Sequence, residues 1–265
     1  MTFTHNGKSI SKVGVIGSGQ IGPDIALFFT KVLSPYGVQT VVVDVAQQAL
    51  DNGKAKLEKK IAKGVESAAF TAEQQQQMLA HVRFTTDYGA LAGADLVVEA
   101  ATENKELKSK IFSQVEALVG PDAILVSNSS HLEPEVIFVN AKKKDRTGVV
   151  HYFFPAERNL MVEVVPGKKT APATTQWLMS FYEAIGKVPI TVQSRYGYAL
   201  DPVFEGMFFA CLLLADAVID GGHMPPEVRR RVEAQAAFIG YTLNRDDVYS
   251  PARGYAGLPN MTTSH

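Results

Sequence analysis

Cysteine is almost absent from the 265-residue chain. Cys211 is the only one, so no disulfide can form within the chain, and we expect a reducing compartment. Because Cys211 falls in an apolar helical pattern, we interpret it as a small core residue. The scarcity of cysteine therefore excludes a fold that internal disulfides hold together.

An excess of positive charge is also missing. The net charge is −1, so the chain has no basic footprint for nucleic acid. No apolar run reaches the length of a membrane span without interruption, and the N-terminus lacks the apolar core of a signal peptide. We expect no nucleic-acid partner and no membrane partner, and we predict a soluble, cytoplasmic protein. The 46% apolar residues suffice for a sizeable core.

Glycines punctuate an apolar stretch near the N-terminus, in residues 12–26. Gly17 would permit a tight turn after a strand, Gly19 would let the backbone approach a pyrophosphate, and Gly22 would let the next helix pack closely. The N-terminus of that helix presents free N–H groups and positive charge to phosphates. We predict a cofactor-binding loop that contains Gly17, Gly19, Gln20, Ile21 and Gly22.

An acid follows the second apolar run, residues 39–45. Asp44 stands 22 residues after Gly22, where a carboxylate accepts hydrogen bonds from the ribose hydroxyls of NAD and repels the phosphate of NADP. We therefore predict NAD as the cofactor, and we predict no metal site. The alternative is a structural glycine turn followed by an ordinary acid at a strand end.

Apolar runs alternate with helical patterns up to residue 192. The runs predict strands at 13–16, 39–45, 82–85, 95–100, 123–126, 148–154, 161–165 and 188–192. The 3.6-residue periodicity predicts helices at 20–34, 47–64, 103–119 and 174–185. This alternation favours an α/β fold with a Rossmann-type, doubly wound and mostly parallel sheet.

The pattern changes after residue 193. Residues 201–219 are helical and apolar nearly all round, glycines follow at 221–222, and a second helix is predicted at 225–238. Such a helix must be covered on every face, so we expect a partner subunit to supply part of the cover. We predict an NAD-binding domain at 1–193 and a small helical substrate and dimerisation domain at 194–265, either minimal or part of a longer protein.

Polar side chains gather where predicted strands end. His131 and His151 lie at such ends, and the carboxyl ends of strands line the ligand crevice of an open α/β sheet. From spacing alone, a buried histidine is more often a structural residue than a catalytic one, so this alternative stays open for both. The lysines of the helix at 47–64 form a solvated face or contact an anionic ligand.

Four motifs occur in order and carry a family resemblance. They are Gly14–Ala26, Val97–Lys108, Ser127–Ser130 and Gly148–Gly167. Together they resemble the L-3-hydroxyacyl-CoA dehydrogenase family over residues 12–222. The resemblance implies NAD-linked interconversion of a 3-hydroxyacyl-CoA and a 3-oxoacyl-CoA. It also implies an acyl-CoA substrate and a homodimer joined through the 201–222 helix, which the all-round apolar pattern of that helix supports independently.

The resemblance also implies a catalytic pair. His151 matches the family's catalytic histidine, and Glu163 matches its carboxylate partner. Imidazole suits removal of a hydroxyl proton because it titrates near neutral pH, and a carboxylate would orient it and stabilise the imidazolium. Alternatively, Glu163 is an acid at a strand edge that forms a pair with a structural role only.

Three further residues match family positions in the cofactor crevice. Ser130 would lie near the nicotinamide and the substrate oxygen, while Glu103 and Lys108 would line the cofactor ribose and the substrate side. Alternatively, Ser130 is an ordinary hydroxyl in a turn, Glu103 is an acid at a helix N-terminus, and Lys108 is a solvated lysine.

Two positions depart from the family pattern. Phe154 replaces an Asn expected to bond the nicotinamide or its ribose, and Asp201-Pro202 replaces an Asn-Arg pair. An ionised Asp201 cannot donate to a substrate carbonyl, although it is a good helix N-cap. We hypothesise that His131 or Arg195 takes over carbonyl recognition. Two rival functions stay open: a dehydrogenase of a hydroxy acid without CoA, and a weakly catalytic NAD-binding module.

Overall fold

The computed structural model describes residues 2–195, 197–203, 206, 207, 227 and 230, and residues 3–191 form ten strands and six α-helices. The strands are β1 (Phe3–His5), β2 (Lys8–Ile10), β3 (Lys12–Ile16), β4 (Gln39–Val43), β5 (Val82–Thr85), β6 (Leu96–Glu99), β7 (Ile124–Ser127), β8 (Thr147–Tyr152), β9 (Met161–Pro166) and β10 (Val188–Thr191). The α-helices are α1 (Gly22–Leu33), α2 (Gln47–Glu66), α3 (Ala72–Ala80), α4 (Lys105–Leu118), α5 (Pro134–Ile137) and α6 (Pro172–Ala184).

One eight-stranded sheet organises this part of the chain, in the order β10-β9-β8-β7-β6-β3-β4-β5. Within the described residues, neighbouring strands are parallel except for β8 and β9, which are antiparallel. This topology confirms the predicted Rossmann-type, mostly parallel α/β fold. The chain continues to β4 on one side of β3 and to β6 on the other. The carboxyl ends of β3 and β6 therefore flank the switch point where such sheets bind ligands.

Apolar side chains cover both faces of the sheet, so the central strands are apolar almost without alternation. On one face, Val98 belongs to a layer with α1, α2 and α6. On the other face, Val97 belongs to a layer with α4 and α5. The pairing of β6 with β3 and β7 sets Glu99 beside Ile16 and Ser127, at the carboxyl end of the strand.

Some boundaries differ from those predicted. α1 begins at Gly22 and not at residue 20, because the glycine turn extends to the start of the helix. β8 ends at Tyr152, two residues before the predicted end. The β1–β2 hairpin was not predicted. Its turn is Asn6-Gly7, a dipeptide typical of tight hairpins, and both residues have positive φ values, 46° and 77°.

The chain divides into two compact units, Met1–Tyr198 and Ala199–His265. In the second unit, residues 200–203, 206, 207, 227 and 230 are helical. The rest of the helices predicted at 201–222 and 225–238, with Cys211, lies outside the described residues. No helix in the described ranges has the length and apolar character needed to cross a membrane.

Candidate active site

The turn between β3 and α1 needs glycine at two positions. Gly17 has φ +101°, and its N–H donates to the Val43 carbonyl at 2.8 Å. A Cβ on Gly17 would lie 2.6 Å from the Ala100 carbonyl oxygen, and one on Gly22 would lie 1.9 Å from the Gly17 carbonyl oxygen. Neither position tolerates a side chain, so the backbone itself forms the floor of the turn.

Gly19 faces open space. A Cβ added there would meet no atom within 4 Å, so glycine is not required there by packing. The absence of a side chain leaves the backbone accessible beside the N-terminus of α1, which fits the approach of a pyrophosphate. A cavity of about 470 Å³ adjoins the turn and is lined by Ser18, Gly19, Gln20, Ala49, Asn52, Gly53, Lys56 and Phe154.

Asp44 is fixed beside the glycine turn. One carboxylate oxygen accepts from the Ser18 N–H at 2.7 Å, and the other accepts from the Ala46 N–H at 2.9 Å. Asp44 is half-buried, and a carboxylate has about four acceptor positions. It therefore retains the capacity to accept hydrogen bonds from ribose hydroxyls, as predicted for NAD.

Two lysines of α2 pair with a buried acid of α1. Lys56 Nζ and Lys60 Nζ lie 3.0 Å and 2.8 Å from Asp24 Oδ1, and Lys60 also lies 2.5 Å from Glu157 Oε1. Lys56 sits 5.3 Å from the centre of the Phe154 ring. These two lysines are therefore not a purely solvated face, and Lys56 also lines the cavity beside the glycine turn. They tie the turn that carries Phe154 to α1.

His151 and Glu163 face each other across the antiparallel pair β8–β9. His151 Nδ1 lies 2.8 Å from Glu163 Oε2, and the two residues are 4% and 0% exposed. An ionised carboxylate can only accept, so Nδ1 carries a proton and Nε2 is left as the basic nitrogen. The ring packs against Phe153 at 4.7 Å and Tyr198 at 5.7 Å between ring centres.

Tyr198 and Asn128 contribute to this region and were not predicted. Tyr198 is fully buried with φ 51°, and its hydroxyl donates to the Leu132 carbonyl at 2.6 Å. The Asn128 side-chain oxygen accepts from the Tyr152 N–H at 2.8 Å. The hydrogen bond to Leu132 holds the Tyr198 ring, which packs against the His151 ring. The hydrogen bond of Asn128 joins the turn after β7 to the strand that carries His151.

Lys108 is buried and not a solvated residue. It is 1% exposed, and its Nζ lies 2.7 Å from Glu99 Oε1 and 3.2 Å from Glu103 Oε2. Ser129 Oγ donates to Glu103, and His131 Nδ1 lies 3.8 Å from the same carboxylate. The structure thus brings Glu103 and Lys108 together at the carboxyl ends of β6 and β7, with Glu99 as an unpredicted partner.

Charge controls the ionisation of Glu103. Burial raises the pKa of its carboxyl group, but the Lys108 ammonium and the hydrogen bond from Ser129 outweigh burial, with a smaller contribution from His131. The pKa of Glu103 is therefore lowered below its ordinary value. Glu103 stays an acceptor at neutral pH, as a ribose-binding role requires.

Ser130 lies in the turn after β7 and is half-buried. Its role at the nicotinamide stays a prediction. Asp201 belongs to the second unit, inside the first turn of a helix that starts at residue 200 and not at the predicted N-cap position. Arg195 is exposed and its Nε donates to the Tyr198 carbonyl at 3.1 Å. Substrate recognition by Asp201, His131 or Arg195 remains a hypothesis.

Comparison with known proteins supplies an independent test. Residues 12–195 match the family model described as 3-hydroxyacyl-CoA dehydrogenase, NAD binding domain. The alpha subunit of the fatty acid oxidation complex from Idiomarina loihiensis is 32% identical over 196 residues, which are 74% of this chain and 27% of that subunit. The chain therefore spans about a quarter of that subunit's length.

A shorter relative and a solved structure agree with this match. A protein described as a probable 3-hydroxybutyryl-CoA dehydrogenase from Deinococcus radiodurans is 32% identical over 74% of this chain and 69% of its own length. The crystal structure of (S)-3-hydroxybutyryl-CoA dehydrogenase from Ralstonia eutropha has a TM-score of 0.72 at 29% identity, covering 83% of this chain and 75% of that chain. The predicted cofactor, NAD, is confirmed by the NAD-binding family model. The chain belongs to the 3-hydroxyacyl-CoA dehydrogenase family.

Proposed function

We propose that the protein interconverts a 3-hydroxyacyl-CoA and the corresponding 3-oxoacyl-CoA with NAD. The buried His151–Glu163 pair carries this proposal, because it joins a base to a carboxylate in the same sheet that forms the glycine turn. The names of the two 3-hydroxybutyryl-CoA dehydrogenases supply the acyl-CoA class of substrate.

His151 acts as the base in this proposal. Its Nε2 accepts the proton of the substrate 3-hydroxyl while the C3 hydrogen leaves as hydride, so that the alcohol carbon becomes a carbonyl. NAD, when bound, supplies the acceptor for that hydride. Glu163 holds the ring through Nδ1 and stabilises the imidazolium that forms. In the reverse direction, His151 returns the proton to the carbonyl oxygen.

The crevice residues bind and orient in this proposal. Asp44 accepts from the hydroxyls of the adenosine ribose, and the glycine turn holds the pyrophosphate at the N-terminus of α1. Glu103 and Lys108 line the ribose on the nicotinamide side, and Ser130 lies near the reacting oxygen. Ionised Glu103 accepts from a ribose hydroxyl, while Lys108 donates and keeps that carboxylate charged.

We further propose a cytoplasmic homodimer joined through residues 201–222. The sequence supports the dimer because this predicted helix is apolar nearly all round and must be covered. A single cysteine, Cys211, supports a reducing compartment.

The substrate class is tested by following NADH oxidation with acetoacetyl-CoA and, in parallel, with free acetoacetate. The proposal expects rapid oxidation with the thioester, little with the free acid, and 3-hydroxybutyryl-CoA as the product. Equal rates with both would favour a dehydrogenase that does not recognise CoA. NADH binding without turnover of linear or cyclic acyl-CoAs would favour a weakly catalytic NAD-binding module. The residues that depart from the family pattern, Phe154 and Asp201, are the specific argument for that second function.

A further inference from the structure

A buried carboxylate lies beneath the crevice and uses both of its oxygens. Glu99 ends the otherwise apolar strand β6 and is 0% exposed. Its Oε1 accepts from Lys108 Nζ and from the Ala101 N–H, each at 2.7 Å, and its Oε2 accepts from Ser127 Oγ at 2.5 Å. A single side chain thus joins the segment after β6, the helix α4 and the end of β7.

One set of contacts leads to the ribose-lining pair. Glu99 holds the Lys108 ammonium, which lies 3.2 Å from Glu103 and also donates to the Ala101 carbonyl at 3.3 Å. Without Glu99, Lys108 would be a buried cation with one carboxylate partner, at the longer of the two distances. We expect Lys108 then to shift toward Glu103 and change the ribose-lining surface.

The other set of contacts leads to the turn that presents Ser130. Ser127 donates to Glu99 and accepts from the Ser129 N–H at 3.2 Å, while the Asn128 N–H donates to the Glu99 carbonyl at 2.6 Å. Asn128 in turn accepts from the Tyr152 N–H, next to His151. Glu99 therefore fixes the start of this turn, and Asn128 connects the turn to the strand that carries His151.

The energetics favour a role beyond folding. Burying a carboxylate and an ammonium carries a large desolvation cost, and well-packed apolar residues often stabilise a core as well or better. Both members of the pair lie at the ligand edge of the sheet, where each contacts a segment of the candidate site. An apolar residue at position 99 would satisfy the core but would leave Lys108, Ser127 and the Ala101 N–H without this acceptor.

We propose that Glu99 is a positioning residue, which sets the Ser130 turn and the Glu103–Lys108 pair relative to His151. The proposal rests on the function proposed above, because it assigns those groups to the nicotinamide end of the site. Glu99 itself is fully buried and both of its carboxylate oxygens are used by other residues, so it acts through those residues. Its effects should therefore reach catalysis through two separable sets of contacts.

The test compares Glu99→Gln, Ser127→Ala and the double variant, with Ser109→Ala as the matched control. Ser109 is a buried serine of α4 whose hydroxyl accepts from Asn140. The measurements are NADH affinity by fluorescence without thioester, kcat and KM for acetoacetyl-CoA, and the thermal midpoint.

For Glu99→Gln we expect NADH affinity and kcat each to fall about tenfold, the equivalent of one buried hydrogen bond. For Ser127→Ala we expect kcat to fall about tenfold with NADH affinity within about twofold, because only the turn is disturbed. The double variant should resemble Glu99→Gln, since Ser127 acts on the turn through its contact with Glu99, which Glu99→Gln already disturbs. Ser109→Ala should leave all kinetic values unchanged.

A lower thermal midpoint with unchanged affinity and kcat in both single variants would overturn the proposal, and so would simple additivity in the double variant. If Glu99→Gln does not fold, Ser127→Ala alone decides, and an unchanged kcat there refutes the role of the turn. If the wild type lacks turnover, the proposed function fails separately. The fall in NADH affinity of Glu99→Gln then still decides whether Glu99 positions the ribose-lining pair.

Discussion

Lys187 is a buried lysine whose charge can be probed by replacing it with methionine. It is 4% exposed, and its Nζ donates to the Ala156 and Asn159 carbonyls, each at 2.5 Å, and lies 4.1 Å from the centre of the Phe28 ring. Burial lowers the pKa of Lys187 to about 8, against 10.5 for an exposed lysine, with Glu157 raising it and Lys31 lowering it to a smaller extent. The unfolded chain therefore binds this proton more tightly than the folded protein does.

The sign of the pH dependence follows from this difference. Below pH 8 the lysine is charged in both states, and its burial destabilises the folded protein by about 3 kcal/mol, at 1.36 kcal/mol per pKa unit. This cost disappears as pH rises toward 10.5, because the unfolded state then also loses the proton. From about pH 7 to about pH 9.5, Lys187 alone should contribute a gain of about 2 kcal/mol.

The assay is urea unfolding of the wild type and of Lys187→Met across this pH range. We expect the free energy of unfolding of the wild type to rise by about 2 kcal/mol relative to Lys187→Met. Burial raises the pKa values of Tyr152 and Tyr182, but these phenols are present in both proteins and largely cancel. Lys169→Met, at an exposed position, should show no such change. A pH-independent difference between wild type and Lys187→Met would refute the desolvation of this amine.

Three further outcomes follow from the site geometry. Gly19→Ala should weaken NADH binding by tenfold or more with an unchanged thermal midpoint, because its Cβ enters open space, whereas Gly22→Ala should lower the midpoint because its Cβ meets backbone. Asp44→Ser should lower the preference for NADH over NADPH by about tenfold to about 100-fold in kcat/KM, as repulsion of the phosphate is lost. Glu163→Gln should lower kcat about 100-fold or more with little change in NADH affinity, measured by stopped-flow turnover and fluorescence titration.

The sequence was informative where local geometry decides the structure. The positive φ of Gly17 and the crowding at Gly22 are backbone requirements that only glycine meets, so the turn could be recognised from residue types alone. Periodicity located the buried strands because a parallel sheet covered on both faces has uniformly apolar strands. His151 and Glu163 were identified through the family motif, and the register of β8 and β9 brings them together.

Contacts between residues that only the packing of separate elements brings together could not be predicted in the same way. Lys108 looked like a possible surface residue of α4, and its burial follows from how α4 packs over Glu99. Glu99, the acid that ends the apolar strand β6, stands out in the sequence. Its hydrogen-bond partners could not be identified from the sequence. Tyr198 follows the last strand at a distance in sequence from His151, and only the fold places its ring there.

The His151 side chain provides the most direct test of the proposed chemistry. The measurement is NADH oxidation with acetoacetyl-CoA by the wild type and by His151→Ala, together with NADH binding by each protein. We predict that turnover falls about 100-fold or more in the variant, as expected for loss of a general acid–base, while NADH binding persists. Turnover by His151→Ala at the wild-type rate would contradict the assignment of His151 as the base.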